Sequence, residues 1–178
     1  MTLDAIKDRL PDYARDLKIN LGIVTGTTSL TPQQHWGTAV AAALATRQPE
    51  VIAAITAAAA GHLDAAALRA ARGASSVMAM NNVYYRFLHF VGDGSDYHTL
   101  PARLRMQLIG NPGVDALDFE LWCLAASAVT GCGACVKSHD QVVRTKGATA
   151  AQVQDAVRIA AVVHALAVTL DGLTATAA

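Results

Sequence analysis

The chain is short of charge and has no excess of either sign. Lys and Arg total 14, Asp and Glu total 14, and charged residues are 16% of the 178. A nucleic-acid-binding protein shows a basic excess, so the balance speaks against that class. Aromatics are only 5%, and Val and Ile are modest beside a great abundance of alanine. That bias disfavours strand and favours helix, because Ala is the strongest helix former. No stretch alternates apolar and polar residues convincingly, so no strand is expected. Uninterrupted apolar runs such as "AVAAALA" and "VIAAITAAAA" fall short of the roughly 20 residues that span a bilayer. "MTLDAIKDRL" carries charges where a secretion signal needs an apolar core. The expectation is a soluble, cytoplasmic protein with no membrane or nucleic-acid partner. No Gly-rich phosphate loop and no Ser/His/Asp arrangement stands out.

Cysteine is scarce as well. Three cysteines are too few for a disulfide scaffold, and in a reducing compartment a close pair points to catalysis or metal binding. Without strands, a thioredoxin fold is disfavoured too, since its dithiol follows a strand.

What is present is an apolar, alanine-rich chain, 53% hydrophobic, long enough for one domain over residues 1–178 with a real core. Low charge with high apolar content fits burial of further surface in an oligomer. The pattern predicts an all-α fold. An irregular arm with a short helix at "LDAIKDRL" occupies residues 1–29. A helix then opens at "LTPQQHWGTAVAAALATR", with Thr31 as N-cap, Pro32 at N1 and Gln34 completing a capping box. Pro49 starts the next, with Gly61 as its terminator. A third runs from about Asp64 to "LHF", with a break expected near Gly73 or Asn81–Asn82. "VGDGSDYHTLP" reads as loop and "ARLRMQLIG" as a short helix. "DALDFELWCLAASAVTG" ends near Gly131, "CGACVKSHDQVVRTKG" begins another helix, and the last is capped by Thr149 with Gln152 at N3. A shift of 50 residues lays His139 over His89, a faint self-similarity that suggests two related helical halves.

The chemistry concentrates in "TGCGACVKSHDQ", residues 130–141. If helix geometry holds from Cys132, then Cys135 and His139 project within roughly 60° of it, on one face. Cys135 and His139 are an i, i+4 pair, the spacing at which side chains touch. The run follows a helix junction, so unpaired N–H groups and the positive dipole end favour a thiolate, and Lys137 adds charge. Three readings compete: buried structural cysteines, a zinc site and a reversible dithiol. A zinc site lacks its fourth ligand unless Cys123 or His164 comes near. The dithiol accounts best for the shared face, and Cys123, in "LWCLAAS", reads as a small buried residue. The helix dipole favours Cys132 as nucleophile and contact with His139 favours Cys135.

Glu120 has apolar turn-mates, Leu121, Trp122 and Leu124. An inward carboxylate there could relay protons, although a solvated surface carboxylate is the more ordinary reading. His164, in "AVVHALAV", reads as a hydrogen-bonded core residue, and His89 as core or interface. The stripe "MAMNNVYYRFLHF" reads as packing or subunit contact rather than a cofactor box.

The string "NPGVDALDFELWCLAASAVTGCGACVKSHDQVVRTKG" resembles the alkyl hydroperoxide reductase AhpD family, within the carboxymuconolactone decarboxylase-like superfamily. "MNNVYYRF", "LPDYARDLKINL" and "WGTAVAAALATRQP" are similar to it as well, and Glu-x11-Cys-x2-Cys-x3-His is a specific spacing. The resemblance implies an all-helical homo-oligomer, commonly a trimer, that works as a peroxidase. It implies Cys135 as attacking thiolate, Cys132 as resolving thiol, a Cys132–Cys135 redox disulfide, and Glu120 and His139 as a proton relay. It implies no tightly bound cofactor and no metal. Reduction would come from dihydrolipoamide on a lipoyl-bearing 2-oxoacid dehydrogenase component, with electrons passing to a partner peroxiredoxin. One position departs. Relatives often carry histidine within the dithiol, where this chain has Ala134, which predicts weaker direct peroxidase activity. The alternatives are an adaptor that only exchanges disulfides and a non-redox decarboxylase-like enzyme.

Overall fold

Local signals set most of the helix starts. In the computed structural model, which describes residues 1–176, Thr31 caps a helix from Pro32 to Thr46 (α4). Its side chain accepts from the Gln34 N–H at 3.2 Å, while the Thr31 N–H donates back to Gln34 Oε1 at 3.1 Å. Before it lie α1 (Leu3–Arg9), a 3-10 turn, α2 (Arg15–Asn20) and α3 (Gly22–Thr25). Residues 1–29 are therefore more helical than their irregular pattern suggests. These pieces are too short to be stable alone, and α2 and α3 lean on the final helix.

Gln48 caps α5 (Pro49–Ala59), and Asp64 caps α6 (Ala65–Val91). α6 passes Gly73, Asn81 and Asn82 without the expected break, held by its packing at Gly73 and Asn82. A Cβ at Gly73 would overlap Leu108, and Asn82 is bonded to α8. The next segment contains a 3-10 turn at Asp96–Thr99 and a single helical turn, α7 (Gln107–Gly110), shorter than "ARLRMQLIG" implies. α8 (Ala116–Thr130), α9 (Gly133–Thr145) and α10 (Ala150–Thr176) follow. Thr149 and Gln152 form the expected reciprocal cap of α10. No strand occurs among the described residues, and the fold is all-α.

α8 is the axis of the core. It is buried all round from Asp118 to Ser127 and packs on α4, α6, α9 and α10, as a helix apolar on every side must. Alanines 39, 41, 42 and 43 of α4 let the helices approach closely. At Gly37 there is no room for a Cβ because the Trp122 ring occupies its place. Trp122 Nε1–H donates to the Gln34 carbonyl at 3.2 Å, and the buried Asp118 carboxylate accepts from Gln33 and Gln34. The polar groups of Trp122, Asp118, Gln33 and Gln34 are thus paired across this contact.

α10 exceeds what the uninterrupted apolar runs suggest. Within Ala150–Ala175 an 18-residue window reaches mean hydropathy 1.6, so its length and composition would suffice to cross a bilayer. In this fold 44% of that window is buried, with Ile159, Val163, Leu166 and Leu170 set into the core.

Candidate functional site

A Schellman turn builds the site. Gly131 adopts the left-handed conformation (φ 71°), its N–H bonds to the Ala128 carbonyl at 3.2 Å, and the Cys132 N–H reaches back to Ser127 at 3.2 Å. That turn ends α8 and delivers Cys132 directly to the N-cap of α9. Cys132 is extended (φ −86°, ψ 91°), so it is not the first residue of a helical face as the spacing suggests. It meets Cys135 by another route: an N-cap side chain folds over the first turn. Its sulfur accepts the Cys135 N–H at 3.3 Å, and the two sulfurs are joined in a disulfide.

Four side chains singled out in the sequence converge here. Cys132 is fully buried, Cys135 nearly so, and His139 and Glu120 are 9% and 8% exposed. One turn beyond Cys135, His139 Nδ1 lies 2.7 Å from Glu120 Oε2. The Glu120 carboxyl is therefore inside the protein, not on a solvated helix face. The helix just before the dithiol supplies it, and α9 packs its inner face directly on α8. The other ring nitrogen, His139 Nε2, sits 3.1 Å from the Met78 sulfur of α6. Methionine 78 carries no motif, and its place here comes only from the packing of α6 on α9.

Cys135, His139 and Glu120 form the floor of a cavity of about 410 Å³, with Cys132 enclosed behind Cys135. α6 contributes Met78, Asn81 and Tyr85; Met106 and Ile109 close another side; Ala134, Ser138 and Val142 of α9 complete the wall. The lining is mostly apolar, with its charged group already paired. Ala134 presents a methyl to the cavity at the position where the resemblance expects an imidazole. Glu120 and His139 meet directly without it.

Other expected residues lie apart. Lys137 is exposed. Cys123 is a free thiol with no exposure, and burial, with the nearby Glu120 carboxylate, pushes its pKa well above the usual value. His164 is not a core residue: it is exposed on α10, because the buried stripe of that helix runs through Val163 and Leu166 instead. It borders a second cavity with Arg47 and Arg86. His35 is buried, bonded to the Val24 carbonyl at 2.7 Å and to Thr28 Oγ1 at 3.1 Å. His62 stacks on Trp36, and His89 is exposed. The stripe on α6 leaves Val83, Phe87 and Phe90 exposed, although the Phe87 ring packs edge-on against Tyr97. Among the described residues no three His, Cys, Asp or Glu side chains are set to hold a metal ion.

The Carboxymuconolactone decarboxylase family profile matches residues 95–178, which include the whole Glu120–His139 segment. Alkyl hydroperoxide reductase AhpD of Rhodospirillum centenum is 58% identical over 171 residues, 96% of this chain and 91% of the relative. Alkyl hydroperoxide reductase AhpD of Gluconacetobacter diazotrophicus is 54% identical, covering 98% of this chain and 96% of that protein. The protein of the same name from a Bradyrhizobium strain is 49% identical, covering 99% and 97%.

Proposed function

The chain belongs to the alkyl hydroperoxide reductase AhpD family, and from that membership we propose that it reduces alkyl hydroperoxides with the Cys132–Cys135 dithiol. The observation that carries the reading is the buried His139–Glu120 pair, 2.7 Å apart, set one helical turn from the bonded sulfurs at the floor of an apolar cavity. A paired acid and imidazole next to a cysteine pair is the equipment for moving protons during sulfur oxidation.

In the proposed cycle the Cys135 thiolate attacks the distal oxygen of ROOH. The O–O bond breaks, Cys135 becomes a sulfenic acid, and the alkoxide takes a proton to leave as alcohol. Cys132 then condenses with the sulfenic acid, releasing water and closing the disulfide. An external dithiol reopens it through a mixed disulfide and is itself oxidised. Cys132 protonates the alkoxide, with Glu120 behind it. His139 helps take the thiol proton from Cys135. With Nδ1–H donating to the Glu120 carboxylate, Nε2 keeps its lone pair. Its neighbour, the Met78 thioether, has no proton to give it, so that ring nitrogen is free to accept one from a thiol. The α9 N-terminus and the Cys135 N–H at the Cys132 sulfur favour Cys132 as the leaving thiolate when the disulfide is reopened, before it takes up the proton it later gives to the alkoxide.

Dihydrolipoamide, presented by a 2-oxoacid dehydrogenase component, is the proposed reductant, and a peroxiredoxin the proposed electron acceptor. A dithiol that must be returned to its reduced form suits the cytoplasm. The exposed Val83, Phe87 and Phe90 suit contact between subunits, in keeping with a trimer. Rapid mixing of the reduced protein with an alkyl hydroperoxide, with no peroxiredoxin present, tests the central claim. Loss of two thiols per chain supports a peroxidase. No reaction at useful rates leaves a disulfide-exchange adaptor, the reading that the methyl of Ala134 in the cavity wall favours. Full activity in Cys135→Ser would instead point to non-redox chemistry.

A further inference from the structure

Two adjacent asparagines of α6 are both buried, Asn81 at 4% and Asn82 at 1% exposure, and their amides are used in opposite ways. Asn82 is fully engaged in holding α6 to α8. Its Nδ2 donates to Thr130 Oγ1 at 2.6 Å, and its Oδ1 accepts from Ser127 Oγ at 3.1 Å. Asn81 forms part of the cavity wall above Cys135, and its Oδ1 has no hydrogen-bond partner in the protein. The other buried side-chain oxygens without partners among the described residues, on Thr38 and Ser95, do not border this cavity.

An unpartnered buried amide lowers stability, since the group gave up water and gained nothing. A leucine of similar volume would avoid that cost. What the amide gives in return is a polar group on the α6 side of a mostly apolar wall. Met78, Asn81 and Tyr85 recur along α6 at i, i+3 and i+7, so all three face the cavity. Met78 is turned to His139, and Glu120 is taken by the same ring. Among the buried polar groups of the wall, Asn81 is the one not already committed to another side chain.

We propose that Asn81 binds the hydroperoxide group itself and orients it for attack by Cys135, an inference that rests on the peroxidase reading above. Oδ1 is enclosed, so the contact is made from the other end of the amide, whose NH2 is a donor suited to peroxide oxygens. Nδ2 donates to the oxygen that carries R. As the sulfur–oxygen bond forms and the O–O bond breaks, negative charge grows on that oxygen, and the N–H bond to it strengthens. The proton that completes the alcohol comes from the Cys132 side of the site. The alkyl group lies along Met106, Ile109 and Val142.

The test compares two electrophiles on the reduced, full-length protein. Cumene hydroperoxide carries the O–O–H group, whereas iodoacetamide reports thiolate reactivity without it; modification of Cys135 is read by peptide mass spectrometry. Asn81→Leu is expected to slow oxidation by about 10- to 100-fold, to change alkylation by less than about twofold, and to keep or raise the melting temperature. Asn81→Ala gives the same comparison if leucine does not fit. Asn82→Leu is expected to lower the melting temperature while leaving the ratio of the two rates as in the wild type. An unchanged oxidation rate in both Asn81 variants, or an equal fall in both rates, overturns the role of Asn81 and leaves the peroxidase reading standing. A wild-type protein inert to the peroxide but readily alkylated overturns the peroxidase reading and this inference with it.

Discussion

His139 Nδ1 and Glu120 Oε2 lie 2.7 Å apart, with both side chains about nine-tenths buried, although the two residues sit on different helices. Removing one partner strands the other away from water, whereas replacing both with apolar groups is close to neutral. Glu120→Leu and His139→Leu should each cost about 3 kcal/mol or more of unfolding free energy, and the double variant should recover most of it. Urea denaturation of the four proteins measures this coupling directly.

The same pair carries a kinetic expectation. Glu120→Gln keeps the shape and a hydrogen-bonding oxygen but no longer exchanges a proton. Oxidation of the reduced dithiol by an alkyl hydroperoxide should fall by about 100-fold, while the far-ultraviolet spectrum stays that of a helical protein. A rate within twofold of wild type would remove Glu120 from the relay.

Thiol counting separates the reactive pair from the structural cysteine. Cys123 is completely enclosed, and its pKa is pushed well above the usual thiol value by burial and by Glu120. Cys132 is equally enclosed, but it adjoins Cys135, which opens on the cavity, so oxidation through Cys135 should consume that pair and spare Cys123. One equivalent of peroxide should remove two thiols per chain, counted in denaturant, and leave Cys123 free. Loss of all three would contradict the assignment.

How much of this was legible in the sequence follows from the range of each interaction. Thr31 with Gln34 and Thr149 with Gln152 are caps closed within four residues, and both were readable. The approach of Cys135 to His139 was readable for the same reason. The exact role of Cys132 was not, because whether a residue is the N-cap or the first helical residue depends on the Schellman turn before it. Glu120 was ambiguous, since its inward orientation is decided by how α9 lies on α8. In the sequence, Met78 and Asn81 read only as packing and as a place where the helix would break. They reach the site from α6 only through tertiary packing, and a methionine or asparagine in a helix carries no spacing rule. His164 was misread because apolar neighbours flank it on both sides, yet the helix turns that position outward.

Ala134 is the position where a designed gain can be sought. It lines the cavity beside Cys135, and an imidazole there would add a proton donor and acceptor next to the sulfur. Ala134→His should raise the rate of peroxide reduction by about tenfold and leave disulfide exchange with dihydrolipoamide nearly unchanged. Parallel single-turnover measurements with each reactant check both halves. No rise with peroxide would mean that the His139–Glu120 pair already supplies the proton transfer.

Asp155 fastens the segment before α4 to α10, and the tie depends on charge. Burial alone would raise the pKa of this carboxyl. The Ser29 N–H at 2.8 Å, the Ser29 hydroxyl at 2.7 Å and the Arg158 guanidinium at 3.3 Å outweigh it and hold the value below that of an ordinary aspartate. A group whose pKa is lower folded than unfolded stabilises the fold above its unfolded value, near pH 4. That contribution is lost as pH falls through the folded value. Asp155→Asn should thus melt about 2–4 °C below wild type at pH 7, the effect of about 1 kcal/mol in a chain of this size. The gap should close as the pH is lowered below about 4, because the wild-type carboxyl then takes up its proton and loses the same charge. Paired melting curves between pH 3 and 7 test it, and a gap independent of pH would assign the loss to shape rather than to ionisation.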